Sequence, residues 1–172
     1  SSDVCSSDLN LRRVYHLTDK VRKTARGDSK IQKLHVVGAG VMGGDIAAVA
    51  AMSGLNVSLS DVNSSAIESA INRSANLFAR RLKIDEKIAA AIERLKADPG
   101  GDHAANADLV IEAVAEKLSV KQAVFADLEK IIKPGAILAT NTSAIPLEDI
   151  ATALNDPSRL IGLHFFNPVP VL

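Results

Sequence analysis

The stretch Leu34-His35-Val36-Val37-Gly38-Ala39-Gly40-Val41-Met42-Gly43-Gly44-Asp45-Ile46-Ala47 constrains this chain more than any other. A short apolar run enters G-x-G-x-x-G, and a small-residue helical pattern leaves it. A glycine turn of this kind cradles phosphates when a strand precedes it and a helix follows, and both flanks are present. Gly38 is read as the tight turn at the strand end. Gly40 is read as the point where backbone approaches a pyrophosphate with no Cβ between, and Gly43 as the point where helix packs on strand. Ala39, Val41 and Met42 complete the loop. The first amides of the helix are unpaired within it and face such phosphates with a partial positive charge.

The run Leu55-Asn56-Val57-Ser58-Leu59-Ser60 reads as a second strand that ends in Asp61. An acid about 20 residues beyond the glycines is the second element of a dinucleotide fingerprint. A carboxylate there accepts both hydroxyl hydrogens of an adenosine ribose and repels a 2′-phosphate. No Arg follows it directly, so the expected cofactor is NAD rather than NADP. The plainer alternative is a structural βαβ turn followed by a solvent-exposed Asp.

Composition narrows the classes. The chain has 172 residues, 47% of them hydrophobic, and a formal net charge of zero, which describes a globular domain with a sizeable core. Nothing in that balance suggests nucleic acid, and with four Phe, one Tyr and no Trp a base-stacking platform is not expected. No apolar run has the length of a bilayer span. A single Cys excludes an intrachain disulfide and fits a reducing compartment, so a cytoplasmic location is expected, with mitochondrion and peroxisome as alternatives. No metal site is expected.

The first nine residues, SSDVCSSDL, show no periodicity and no apolar core. Val-Cys-Ser-Ser-Asp-Leu resembles the translation of a synthetic sequencing adapter, so residues 1–9, Cys5 among them, are expected to be non-native or disordered. Asn10 to Arg26 places Leu11, Val14, Leu17 and Val21 at helical spacing among basic residues, which predicts a linker helix within residues 10–29. The main domain is expected over residues 30–172.

Beyond Asp61, Asn63 or Ser64 can cap a long helix with Ile67, Ala70, Ile71, Ser74, Phe78 and Leu82 on its apolar stripe. A second helix is expected from Asp85 with Ile88, Ile92 and Leu95 inward. The pair reads as a helical hairpin projecting from the sheet after the second strand. Arg73, Arg80, Arg81, Lys83 and Lys87 give it a basic side. That side is an ordinary solvated face, or a surface for the phosphates of a large anionic substrate. His103, beside the Asp98–Asp102 loop, is read as a surface histidine.

Ala107–Val114 has the near-continuous apolar character of a buried parallel strand, with Glu112 and Glu116 near its end. A helix over Leu118–Ile132 follows, with Val124, Phe125, Leu128, Ile131 and Ile132 inward. Ala136–Thr140 is a further strand that runs into Asn141-Thr142-Ser143. A short helix over Leu147–Leu154 and a strand over Leu160–Leu163 then deliver His164. Strand and helix alternating in this way predict a Rossmann-type α/β fold, a doubly wound parallel sheet with helices on both faces. Ligands bind beyond the carboxyl ends of such strands. Gly38–Gly43, Asp61, Glu112, Glu116, Ser143 and His164 all follow predicted strands and therefore share one rim. A nicotinamide on that rim needs a substrate alcohol beside it and a group for the hydroxyl proton. His164 suits that proton, and Ser143 suits the same oxygen.

Gly38–Gly44, Asp108–Val114, Asn141-Thr142-Ser143 and His164-Phe165-Phe166-Asn167-Pro168 occur in this order. Together they resemble the NAD-binding domain of L-3-hydroxyacyl-CoA dehydrogenases over about Lys30 to Leu172. Gly43-Gly44-Asp45-Ile46-Ala47 and the upstream helix are most similar to the multifunctional α-subunits of fatty-acid β-oxidation, in which an enoyl-CoA hydratase domain comes first. The resemblance implies oxidation of an L-3-hydroxyacyl-CoA to the 3-ketoacyl-CoA. It assigns the glycine loop and Asp61 to the adenosine half of NAD, and Glu116 and Lys121 to the nicotinamide side. Ser143 then touches cofactor and substrate, and His164 is the catalytic base.

In that family the His pairs with a Glu about a dozen residues downstream, and a helical C-terminal domain closes the cleft and forms the dimer. The expectation is a domain truncated before that part, which binds NAD and turns over little. The whole enzyme is expected to be oligomeric, with a thiolase subunit among its partners. A non-catalytic dinucleotide-binding module is the competing class, which fold alone does not separate. A β-hydroxyacid dehydrogenase acting on free acids uses a Lys-based site on a later helix, and His164-Phe165-Phe166-Asn167-Pro168 speaks against it.

Overall fold

A computed structural model describes residues 30–166 and Val169. The chain separates into two compact units, Ser1–Lys30 and Ile31–Leu172. Residues 1–9, expected to be non-native or disordered, the helix expected within residues 10–29, Asn167 and Pro168 lie outside the described residues.

Among the described residues, the strands and α-helices run in the order β1 (Lys33–Val37), α1 (Val41–Met52), β2 (Asn56–Ser60), α2 (Ser64–Leu82), α3 (Asp85–Arg94), β3 (Leu95–Ala97), β4 (Leu109–Glu112), α4 (Leu118–Ile131), β5 (Ile137–Thr140), α5 (Leu147–Ala151) and β6 (Leu160–Gly162). All strand pairs are parallel, in the order β3-β2-β1-β4-β5-β6. The chain runs outward from β1 to one edge, returns, and continues from β4 to the other. The topological switch lies between β1 and β4, where sheets of this kind bind ligands.

Side chains alternate between the two faces of the sheet. Leu34, Val36, Val57, Leu59, Ile111 and Ala139 pack on one face with Ile46, Ala47, Ile67, Phe78 and Ala91 from α1, α2 and α3. Val110 and Leu138 pack on the other with Phe125, Leu128 and Ile150 from α4 and α5. Asn63 caps α2 by accepting a hydrogen bond from the Ser65 amide, as its residue type predicts.

The hairpin of α2 and α3 follows β2 as expected, makes the crossover to β3, and packs its apolar face in the main core. Two local expectations need correction. Ile92 and Ile131 are exposed, and on α3 it is Ala91 that is buried. Leu95 is buried, but as the first residue of β3, paired with Val57. A three-residue edge strand with one buried side chain is too short to show a period, so the pattern of α3 ran over it.

Candidate functional site

Register sets the rim. Ser60 pairs with Val37, Val37 with Glu112, Glu112 with Thr140, and Thr140 with Gly162. The five strands therefore end in one row, and the residues after each row member form adjacent loops. These are Gly38–Gly43, Asp61, Ala113–Glu116, Asn141–Ser143 and Leu163–His164. The candidates do converge on one edge.

The glycine loop divides its tasks as its spacing predicts. Gly38 sits at φ +104°, a conformation that L side chains rarely adopt, and its amide donates to the Ser60 carbonyl at 2.8 Å. A Cβ on Gly43 would lie 1.8 Å from the Gly38 carbonyl oxygen, so only glycine lets α1 start against the end of β1. A Cβ on Gly40, in contrast, meets no protein atom within 4 Å. Gly40 is the residue preceding the first turn of α1, with extended backbone and no side-chain cap. Its missing side chain leaves an open cradle at the amino end of the helix, the shape and polarity that a pyrophosphate needs. Gly44 has a third role. A Cβ there would come within 3.0 Å of the Ala70 Cβ and of an Arg73 nitrogen, so its absence lets α2 pack closely on α1.

Asp61 is tied to this loop. Its Oδ2 accepts the Ala39 amide at 2.7 Å and its Oδ1 accepts the Asn63 amide at 2.9 Å. Each oxygen keeps a second lone pair, so the carboxylate can bridge the cradle and a ribose diol. The basic side of the hairpin also reaches the loop at one point. The Arg73 guanidinium donates to the Gly40 carbonyl at 3.3 Å and to Ser69 Oγ at 2.9 Å. Sequence spacing alone could not assign Arg73 to this place, since it depends on how closely α2 approaches α1.

On the other side of the switch, Glu112 and Lys121 are fully buried. The Lys121 ammonium lies 2.7 Å from Glu112 Oε1 and 3.2 Å from Glu116 Oε2. Thr140 Oγ1 donates to Glu112 Oε2 and the Val114 amide to Oε1, each at 2.7 Å. Glu116 Oε1 then accepts the Thr142 hydroxyl and the amides of Ser143 (3.2 Å) and Ala144 (3.3 Å). Burial works to raise the Glu116 carboxyl, but these hydrogen bonds and the Lys121 charge outweigh it and hold it below the usual range. Lys121, expected on the nicotinamide side, is buried and bridges Glu112 to Glu116, the carboxylate that holds the Ser143 amide. The Ser143 residue itself is exposed.

His164 is also exposed, with its ring edge-on to Phe166 at a centroid separation of 4.6 Å. Its backbone is fixed on both sides by the β5 loop. The Leu163 amide donates to the Thr140 carbonyl at 3.0 Å and the Phe165 amide to Asn141 Oδ1 at 2.8 Å. Among the described residues no carboxylate pairs with the His164 ring.

Sequence reading missed one polar group. His35, Ser58 and Ser60 are buried, with the His35 nitrogens 2.7 Å from Ser58 Oγ and 3.0 Å from Ser60 Oγ. Buried Asp98 lies 3.7 Å from His35 and 3.1 Å from the exposed His103 ring. Burial pushes the His35 imidazole down to about 4, against the pull of the Asp98 charge.

A parallel sheet in the order 3-2-1-4-5-6, with a glycine cradle at the carboxyl end of β1 and an acid at the end of β2, defines a dinucleotide-binding domain of the Rossmann type. The family described as 3-hydroxyacyl-CoA dehydrogenase, NAD binding domain, matches residues 33–172. This chain belongs to that family, and NAD is its cofactor class. It is 40% identical over 147 residues to a probable 3-hydroxybutyryl-CoA dehydrogenase of Bacillus subtilis, covering 83% of this chain and 51% of that protein. It is 38% identical over 161 residues to a fatty acid oxidation complex subunit alpha of Pseudomonas syringae, covering 89% of this chain and 22% of that one. The crystal structure of 3-hydroxybutyryl-CoA dehydrogenase from Escherichia coli superposes with a TM-score of 0.79 at 39% identity, covering 83% of this chain and 31% of that one. The chain spans about half the length of the 3-hydroxybutyryl-CoA dehydrogenase relative and about a fifth of the complex subunit. No helix among the described residues is long and apolar enough to cross a membrane.

Proposed function

We propose that this chain is the NAD-binding part of an enzyme that oxidises (3S)-3-hydroxyacyl-CoA to 3-ketoacyl-CoA in fatty-acid oxidation, organised as a domain over residues 30–172. The observation that carries the reading is the shared rim. The open cradle at Gly40 and the Asp61 carboxylate lie at the ends of β1 and β2, and Ser143 and His164 at the ends of β5 and β6. The cradle, with Gly38, Ala39, Gly40, Val41, Met42 and Gly43, holds the pyrophosphate, and Asp61 the adenosine ribose. NAD⁺, when bound, supplies the hydride acceptor. Ser143 donates to the substrate oxygen, and His164 takes the hydroxyl proton as C3 loses hydride. Glu116 and Lys121 keep the Ser143 loop beside the nicotinamide.

A general base works best when its second ring nitrogen is held by a partner. The described residues provide none for His164, so this chain alone turns over slowly. The test is NADH formation from (3S)-3-hydroxybutyryl-CoA. The expected result is slow formation specific for the S isomer and absent in His164→Ala. A turnover number of about 1 per second or more, ordinary for enzymes, refutes the slow-turnover reading. NADH formation that survives His164→Ala refutes the role of the histidine.

A further inference from the structure

We propose that Glu112 is a positioning residue for the nicotinamide half of the site. Its carboxylate fixes Lys121, Lys121 fixes Glu116, and Glu116 holds the loop that carries Ser143. This rests on the NAD reading above and adds to it a residue that never touches the ligand.

Glu112 and Lys121 have essentially no contact with solvent. A buried ion pair is a poor source of stability, because desolvation of both charges cancels most of their attraction. Its effect is geometric. Both Glu112 oxygens are occupied, Oε1 by Lys121 and the Val114 amide and Oε2 by Thr140. That arrangement joins the ends of β4 and β5 to α4 through one side chain. Lys121 has its remaining reach on Glu116, whose Oε1 gathers Thr142, Ser143 and Ala144.

A second path leaves the backbone of the same residue. The Glu112 carbonyl accepts the Asn141 amide at 2.9 Å, and Asn141 Oδ1 accepts the Phe165 amide next to His164. Glu112 thus reaches both loops that face the substrate. The adenosine half hangs on a different set of bonds, Ala39 to Asp61 and Gly38 to Ser60, none of which involves a Glu112 side-chain atom.

The two halves should therefore separate experimentally. ADP-ribose probes the cradle and Asp61 alone, whereas NADH also probes the nicotinamide side. In Glu112→Gln the shape is kept, but the charge that holds Lys121 is lost. The expected result is ADP-ribose affinity within twofold of wild type and NADH affinity weaker by about fivefold, the scale of one hydrogen bond. If a buried Lys121 left with Glu116 as its one carboxylate partner prevents folding, the double variant Glu112→Gln/Lys121→Met removes both buried charges at similar volume. It should fold and show the same divergence between the two ligands. Unchanged affinity for both ligands, or an equal loss of both, overturns the proposal, the second outcome marking a purely structural residue. A wild-type chain that binds neither ligand refutes the dinucleotide reading itself, and this inference with it.

Discussion

Replacing Gly40 or Gly43 by alanine adds the same methyl group to the same loop, and the two variants should behave in opposite ways. At Gly43 the new Cβ would lie 1.8 Å from the Gly38 carbonyl oxygen and 3.0 Å from its carbon. Both atoms are backbone, so the turn or the helix start must move by more than an ångström. Overpacking of this kind costs about 1–3 kcal/mol or more. At Gly40 the Cβ meets nothing within 4 Å, and φ −62° with ψ −168° is open to alanine. The loss of glycine freedom in the unfolded chain, worth about 0.4–1 kcal/mol, offsets the poorer capping by alanine at this helix start and keeps the variant near wild-type stability.

The effects on cofactor invert that order. Under the proposed function, the Gly40 methyl would occupy the space through which a pyrophosphate reaches the helix amides. The assay is urea unfolding with and without NAD⁺. Ligand at 100 times its Kd should raise wild-type stability by about 2.7 kcal/mol. Gly40→Ala should stay near wild type without NAD⁺ and gain under about 1 kcal/mol with it. Full NAD⁺ stabilisation of Gly40→Ala refutes the cradle. A large loss of intrinsic stability in Gly40→Ala refutes the local geometry from which the cradle was derived.

Acid titration tests the buried histidine. His35 folded titrates near 4 and unfolded near 6.5, so the unfolded chain binds the extra proton between those values. Stability should be full above about pH 6.5 and fall through that window by up to about 3 kcal/mol. Asp98, held below the usual carboxylate range by His103 and His35 although burial opposes this, should add its own loss only at the acid end. Urea midpoints across pH, compared with non-titrating His35→Asn, isolate the histidine; equal slopes contradict its burial as a neutral ring. Arg73→Ala should weaken NAD⁺ severalfold at low salt and less at high salt, and calorimetry at two ionic strengths checks this. His164→Ala should leave NAD⁺ affinity within about twofold of wild type, since the adenosine half carries most of the cofactor contacts proposed here. A tenfold loss by calorimetry would place the ring elsewhere.

The parts of this domain legible in the sequence were those where one residue type has one physical reason to be present. Gly38, Gly40 and Gly43 announced a strand, a turn and a helix because each answers a different steric demand. Val110 and Leu138 announced buried parallel strands through continuous apolar runs. Asn63 announced a cap. What stayed hidden depends on distances between elements. The resemblance assigns Lys121 to the nicotinamide side, but no local pattern shows that β4 places Glu112 2.7 Å from it. Arg73 reads as one of several hairpin cations until Gly44 lets α2 approach α1 closely. His35 sits in an apolar strand with no local sign that Ser58, Ser60 and Asp98 will satisfy it, since its partners come from β2 and the end of β3. The three-residue β3 was absorbed into the preceding helix for want of a period of its own.

Asp61 accepts the Ala39 amide of the cradle, and the proposed function makes its charge the source of the domain's choice of cofactor. Calorimetric titration of the wild-type chain with NAD⁺ and NADP⁺, repeated with Asp61→Ala, tests that claim most directly. NAD⁺ should bind at one site at least about tenfold more tightly than NADP⁺, and Asp61→Ala should lose most of that preference. Comparable affinities of the wild-type chain for the two cofactors, or no saturable binding of NAD⁺, would contradict it.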